Sequence, residues 1–133
     1  MKPLIFLLAP ALLFCLCHAE APPAKSVGII NVDVAKAALL VEETEALVIL
    51  DVRTPAEFEE GHLKGAVNID FTASDFAVEI GKLDPSKTYL MHCHSGSRSS
   101  AALPVFEGLH FEELYHFEAG YLAWVEAGGA VEK

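Results

Sequence analysis

The feature that most constrains the fold is a strand that runs into a cysteine and leaves it as a helix. Thr88 to Met91 is an apolar run of strand length, and it stops at Cys93. Ser95, Gly96 and Ser97 fill the loop, Arg98 follows, and a small-residue helix is expected from Ser99 to Phe106. In an open α/β sheet, ligands bind where strand C-termini meet helix N-termini. Backbone N–H groups point unpaired into such a loop, and the helix dipole adds partial positive charge. A thiol at that point has a lowered pKa and reacts as a thiolate. Cys93 is therefore the candidate nucleophile. The alternative is a buried core cysteine, for which the flanking His, Ser, Gly, Ser and Arg make poor surroundings.

The rest of the chain repeats the alternation of strand and helix. Val27 to Ile30 starts as a short strand, and Asn31 or Asp33 can cap a helix from Val34 to about Glu43. Ala46 to Leu50 is a continuous apolar run, which suits a central parallel strand covered on both faces. Thr54-Pro55-Ala56-Glu57 is a capping box with proline at the first helical position, opening a helix to Glu60. His62 to Gly65 reads as a turn and Ala66 to Ile69 as a strand. Ser74 to Ile80 reads as an amphipathic helix with Phe76 and Ile80 inward. Glu113 to Phe117 reads as a last strand, and Tyr121 to Ala127 as a helix stopped by Gly128 and Gly129. Pro104 cannot donate to the carbonyl of Ser100 and is expected to kink its helix. This pattern predicts an α/β domain with a mostly parallel sheet.

Residues 1–19 read as a secretory signal: a basic start at Lys2, an apolar stretch from Leu4 to Cys17, and Ala19 as the exit. The stretch is short of the ~20 residues of a membrane helix, and Pro10 interrupts it, so no stable membrane insertion is expected after cleavage. Residues 20–26 read as a Pro/Ala linker and 27–133 as the folded domain. Loss of Lys2, the one charged residue of the signal, takes the net charge from −10 to −11. Such a surface repels phosphate backbones and argues against nucleic acid as a partner. Cys15 and Cys17 leave with the signal, and Cys93 remains as the one thiol. An exported protein usually pairs its cysteines or has none, so an unpaired one points to use.

Three stretches now resemble one family. They are Leu50 to Phe58 running on through Gly61 to Ile69, the loop Cys93-His94-Ser95-Gly96-Ser97-Arg98-Ser99, and Gly120-Tyr121-Leu122-Ala123-Trp124 followed by Ala127-Gly128. In this order and spacing the chain resembles the single-domain rhodaneses, and with its export signal the small periplasmic ones of bacteria. The resemblance implies a rhodanese-like α/β fold, a five-stranded mostly parallel sheet with helices on both faces. It implies a sulfurtransferase that moves a sulfane sulfur from thiosulfate or a similar donor to a thiophilic acceptor. It places the sulfur-carrying residue on Cys93 and the persulfide cradle on the backbone of His94, Ser95, Gly96, Ser97 and Arg98. Related phosphatases carry five residues between cysteine and arginine, whereas four separate Cys93 from Arg98, which suits sulfur better than phosphate. His110 stands where a glycine often ends the helix after the loop; histidine tolerates positive φ better than most residues. The implied partners are a small anionic donor, a thiol or cyanide acceptor, and a possible protein thiol.

Beside that cradle, Gly96 lets the backbone curl close to the sulfur, and Ser95, Ser97 and Ser99 can add hydroxyl donors. Arg98 can bind a donor's sulfonate or brace the loop on a carboxylate such as Glu57 or Asp51. Arg53 is expected to pair with a sheet-end carboxylate, and Asp51 to accept N–H bonds from the cysteine loop. His92 and His94 flank Cys93 on the opposite face of a strand, so no metal site is expected, and no cofactor. His94 can tune the thiolate or stand as a solvated loop residue, and both readings remain open. A second functional reading uses the same thiol in a persulfide-carrying or redox-sensing module with little turnover.

Overall fold

A computed structural model describes residues 28–133. The expected signal and linker lie outside the described residues. The chain forms strand β1 (Gly28–Val32), helix α1 (Val34–Glu43), β2 (Val48–Asp51), α2 (Pro55–Glu60), β3 (His62–Leu63), β4 (Val67–Asn68), α3 (Phe76–Gly81), β5 (Thr88–His92), α4 (Ser97–Glu107), β6 (Glu113–Phe117), α5 (Gly120–Glu126) and β7 (Val131–Glu132). Five strands pair in the order β1-β6-β5-β2-β4, all parallel. The fold is α/β with a five-stranded parallel sheet, as the apolar runs and the family resemblance both led one to expect.

Strand β5 is central because its residues are apolar on both faces, and side chains alternate between faces along a strand. Met91 joins Leu50 and Leu114 under Phe76 and Ile80 of α3 and Ala102 and Phe106 of α4. Leu90 joins Ile49 and Phe117 under Ala37 and Leu40 of α1 and Trp124 of α5. Each fully buried Leu, Ile, Met or Phe here contributes about 1.5–3 kcal/mol, so the central strand is anchored from both sides. Its C-terminal end, where Cys93 begins the loop, is held accordingly.

Local signals set the helix starts. Asp33, rather than Asn31, caps α1, accepting from the Lys36 N–H at 2.8 Å. Thr54 and Glu57 form the full capping box of α2. Helix α4 begins at Ser97, two residues earlier than expected, so Ser97 and Arg98 belong to its first turn. It continues through Pro104 to Glu107. The carbonyl of Ser100 that Pro104 leaves without a donor belongs to an exposed residue, where water can serve it. His110 has φ 56, the one positive value outside glycine among the described residues.

One stretch differs from the sequence reading. His62 and Leu63 form no turn but a short strand, antiparallel to Val131 and Glu132 at the end of the chain. Two-residue strands carry no readable alternation, and the partner lies far away in sequence.

Candidate active site

The register brings the ends of four strands together. His92 on β5 lies opposite Asp51 on β2, Met91 lies opposite His116 on β6, and His116 lies opposite Asn31 on β1. Cys93 leaves this line and turns into α4. Its side chain is buried on the α4 side of the sheet, with the residue only 1% exposed.

The loop closes tightly around the sulfur. The Gly96 N–H donates to Cys93 Sγ at 3.1 Å, and the Ser99 hydroxyl lies 3.4 Å from it. Burial pushes the thiol pKa up, but the Ser99 hydroxyl and the N–H groups of Ser99, Gly96 and Ser95 outweigh it and hold the thiol below its ordinary value. The donors around the resting sulfur thus come from residues 95, 96 and 99. Ser97 and Arg98 have entered the helix. Gly96 sits at φ 105, and a Cβ there would fall 2.5 Å from the Glu118 carbonyl oxygen.

Helix α5 sets the direction of these amides. Tyr121 N–H donates to the Cys93 carbonyl at 2.9 Å, and Leu122 N–H to the His94 carbonyl at 3.1 Å. A trans peptide points its C=O and N–H opposite ways. With the His94 carbonyl turned to α5, the Ser95 N–H turns toward the sulfur. This approach needs Gly120, at φ 69, where a Cβ would lie 2.6 Å and 2.7 Å from those same two carbonyl oxygens. Gly120 is a site residue that the sequence reading held only as part of a family stretch. A glycine opening a helix, just after a strand, was its one local signal.

Both arginines are committed to carboxylates. Arg98 makes a two-pronged pair with Glu57 at 2.7 and 2.8 Å. Glu57 also accepts from the Thr54 N–H and hydroxyl. The Arg98 bond foremost, with Thr54 beside it, holds the Glu57 carboxyl far below the usual range against the effect of burial. Of the two readings of Arg98, the geometry is that of a brace. Arg53 lies buried against Asp51, with Nη2–Oδ2 at 2.7 Å, and donates to the Gly61 carbonyl at 2.8 Å. Its guanidinium stacks over Tyr121 at 4.0 Å.

Asp51 does not accept from the cysteine loop, contrary to expectation. Its carboxylate is filled by the backbone and side chain of Arg53. The neighbouring Ile49 lies in the core opposite that of Cys93, and Asp51 shares its parity along β2.

The three histidines part company. His92 is fully buried, and its Nδ1–H donates to the Cys93 carbonyl at 2.8 Å. Burial holds it neutral, against the nearby Asp51 carboxylate. His94 is exposed, in a hollow with Arg53, Glu57, Glu60 and Tyr121. His116, which the sequence reading passed over, lies buried against Ser99 and Asn31 at 2.8 and 2.9 Å. Its signal was a histidine sharing the strand parity of the buried Leu114. No three His, Cys, Asp or Glu side chains gather as a metal-holding group among the described residues.

Residues 33–127 match the rhodanese-like domain. The chain is 31% identical over 114 residues to thiosulfate sulfurtransferase 18 of Arabidopsis thaliana, covering 77% of this chain and 82% of that protein. It is 31% identical over 106 residues to the uncharacterized protein slr1261 of Synechocystis, covering 74% of this chain and only 54% of the relative, about half its length. Among solved structures, a rhodanese-related protein from Thermoplasma volcanium superposes with a TM-score of 0.66 at 29% identity, over 77% of this chain and 97% of that one.

Proposed function

This chain belongs to the rhodanese-like domain family, and on that footing we propose that it transfers sulfane sulfur through a persulfide on Cys93. The Cys93 thiolate attacks the outer sulfur of thiosulfate or a similar donor. The bond to the sulfonate sulfur breaks, sulfite leaves with the electron pair, and Cys93 carries the outer sulfur as an anionic persulfide. A thiolate or cyanide then attacks that outer sulfur, the S–S bond breaks, and Cys93 returns as a thiolate. The observation that carries the reading is the sulfur's setting: Gly96 N–H and the Ser99 hydroxyl on Sγ, at the end of the central strand and under the first turn of α4. The backbone N–H is a preset donor that stabilises an anion without reorganising, as an oxyanion hole does, and the hydroxyl adds a second bond to the thiolate.

One observation favours a second reading, a module charged by another protein's persulfide. Arg98 and Arg53 are each paired with a carboxylate, so neither offers a free cation to a donor sulfonate. One experiment separates the two. Peptide mass spectrometry is run on the Cys93 peptide after thiosulfate and then after cyanide. A gain of one sulfur atom, reversed by cyanide and absent in Cys93→Ser, is expected of the sulfurtransferase. No gain with thiosulfate, polysulfide or mercaptopyruvate would refute that reading and leave the module.

A further inference from the structure

We propose that His116 is a positioning residue that draws the proton of Cys93 away through the Ser99 hydroxyl. Three structural elements build this line of contacts: Asn31 on β1, His116 on β6 and Ser99 on α4, ending at the sulfur. Asn31 Oδ1 accepts from His116 Nδ1 at 2.9 Å. A neutral ring with its proton on Nδ1 has a lone pair on Nε2, and that atom lies 2.8 Å from Ser99 Oγ. While Cys93 is a thiol, the hydroxyl therefore donates to the imidazole and its lone pairs face Sγ at 3.4 Å; once the thiolate forms, the same hydroxyl donates to the sulfur. Ser99 can also donate to the Gly96 carbonyl at 3.2 Å, but the contact to Nε2 is the shorter.

The transfer balances without moving a heavy atom. The Cys93 S–H bond breaks as an O–H bond forms on Ser99, and the original Ser99 proton forms an N–H bond on His116 Nε2. The product is a thiolate that accepts from Ser99, a hydroxyl that accepts from the imidazolium, and an imidazolium still donating to Asn31. The groups around the ring support this use. Burial favours its neutral form first, and the Glu118 carboxylate, just beyond β6, favours the charged one. Met91, the register partner on β5, carries no charge. A buried imidazole is costly unless both nitrogens are bonded, and here both are. The inference rests on the sulfurtransferase reading only for its use in turnover, where Cys93 must ionise before attack.

The test measures ionisation with no sulfur donor present. Alkylation of Cys93 by iodoacetamide is followed against pH and read on the Cys93 peptide. His116→Gln keeps a hydrogen-bonding side chain that cannot take a proton, and Ser99→Ala removes the link. Each is expected to raise the alkylation midpoint by about one pH unit, a roughly tenfold loss of thiolate below it. An unchanged midpoint in either variant overturns the proposal. A second measurement leaves His116 and Ser99 intact: NMR titration of the His116 ring in the unsubstituted protein and in Cys93→Ser. Coupling is reciprocal, so loss of the thiolate must lower the ring's midpoint; equal midpoints overturn the proposal. Because no donor is used, a failure of Cys93 to load sulfur would retire the functional reading without touching this one.

Discussion

Two glycines bracket helix α5, and replacing each by alanine separates backbone strain from steric conflict. Gly120 and Gly128 have similar dihedrals, φ 69 and φ 77. An L-residue in that region costs about 1–2 kcal/mol, offset by roughly 0.4–1 kcal/mol from the stiffer unfolded chain. Gly128→Ala meets nothing within 4 Å, so its expected loss is about 1 kcal/mol. Gly120→Ala carries the same strain and also drives a methyl into the carbonyl oxygens of Cys93 and His94 at 2.7 and 2.6 Å. The loop must retreat, and the bonds from Tyr121 and Leu122 to those carbonyls are lost. At about 1 kcal/mol each, the total loss reaches about 3 kcal/mol. Equilibrium urea unfolding of both variants reads the difference, and alkylation of Cys93 reads the loop. Gly120→Ala is expected to be about 2 kcal/mol less stable than Gly128→Ala and to alkylate more slowly at neutral pH, because the Ser95 amide turns away from the sulfur. Equal stabilities with unchanged thiol reactivity would refute the claim that α5 holds the loop.

Arg53→Ala strands a fully buried Asp51 carboxylate, and a loss of about 3–5 kcal/mol in urea unfolding is expected; a loss under 1 kcal/mol would mean that the carboxylate finds other partners. Glu57 has its pKa lowered in the folded state, so the Arg98 pair stabilises fully above the ordinary value of 4.5 and fades as pH falls below it toward the folded value. The stability gap between the unsubstituted protein and Glu57→Gln should therefore be constant near neutrality and shrink on acidification, as acid titrations followed by circular dichroism will show. Inserting one residue between Cys93 and Arg98 widens the cradle and should lower sulfur transfer sharply; an unaffected rate would remove the argument from loop length. The exported form is proposed to begin at Glu20, which N-terminal sequencing of secreted material checks.

What the sequence made legible is what local chemistry decides. The cap at Asp33, the capping box of Thr54 and Glu57, and the central apolar strands follow from neighbours a few residues apart. Cys93 was legible because a strand end, a glycine loop and a helix start are adjacent in the chain. The partners of that loop were not. Gly120 meets it only because α5 returns to the end of β5. His116 meets Ser99 only through the parallel pairing of β5 with β6. Asp51 was given to the wrong partner because proximity to the loop in the fold hid the face on which it lies. The β3–β7 pairing was illegible for the same reason: its specificity resides in contacts that no short window contains.

The pairing of Arg98 with Glu57 and of Arg53 with Asp51 has one more consequence. Each couple is electrically compensated, so neither arginine brings an unpaired charge to the sulfur, and the groups that meet Sγ do so through short hydrogen-bonded contacts. Mobile ions screen separated charges over about 10 Å at 0.1 M salt, but they do not enter a hydrogen-bonded contact. The ionisation of Cys93 is therefore expected to respond only weakly to ionic strength, so that its alkylation rate in dilute and in saline media should nearly coincide.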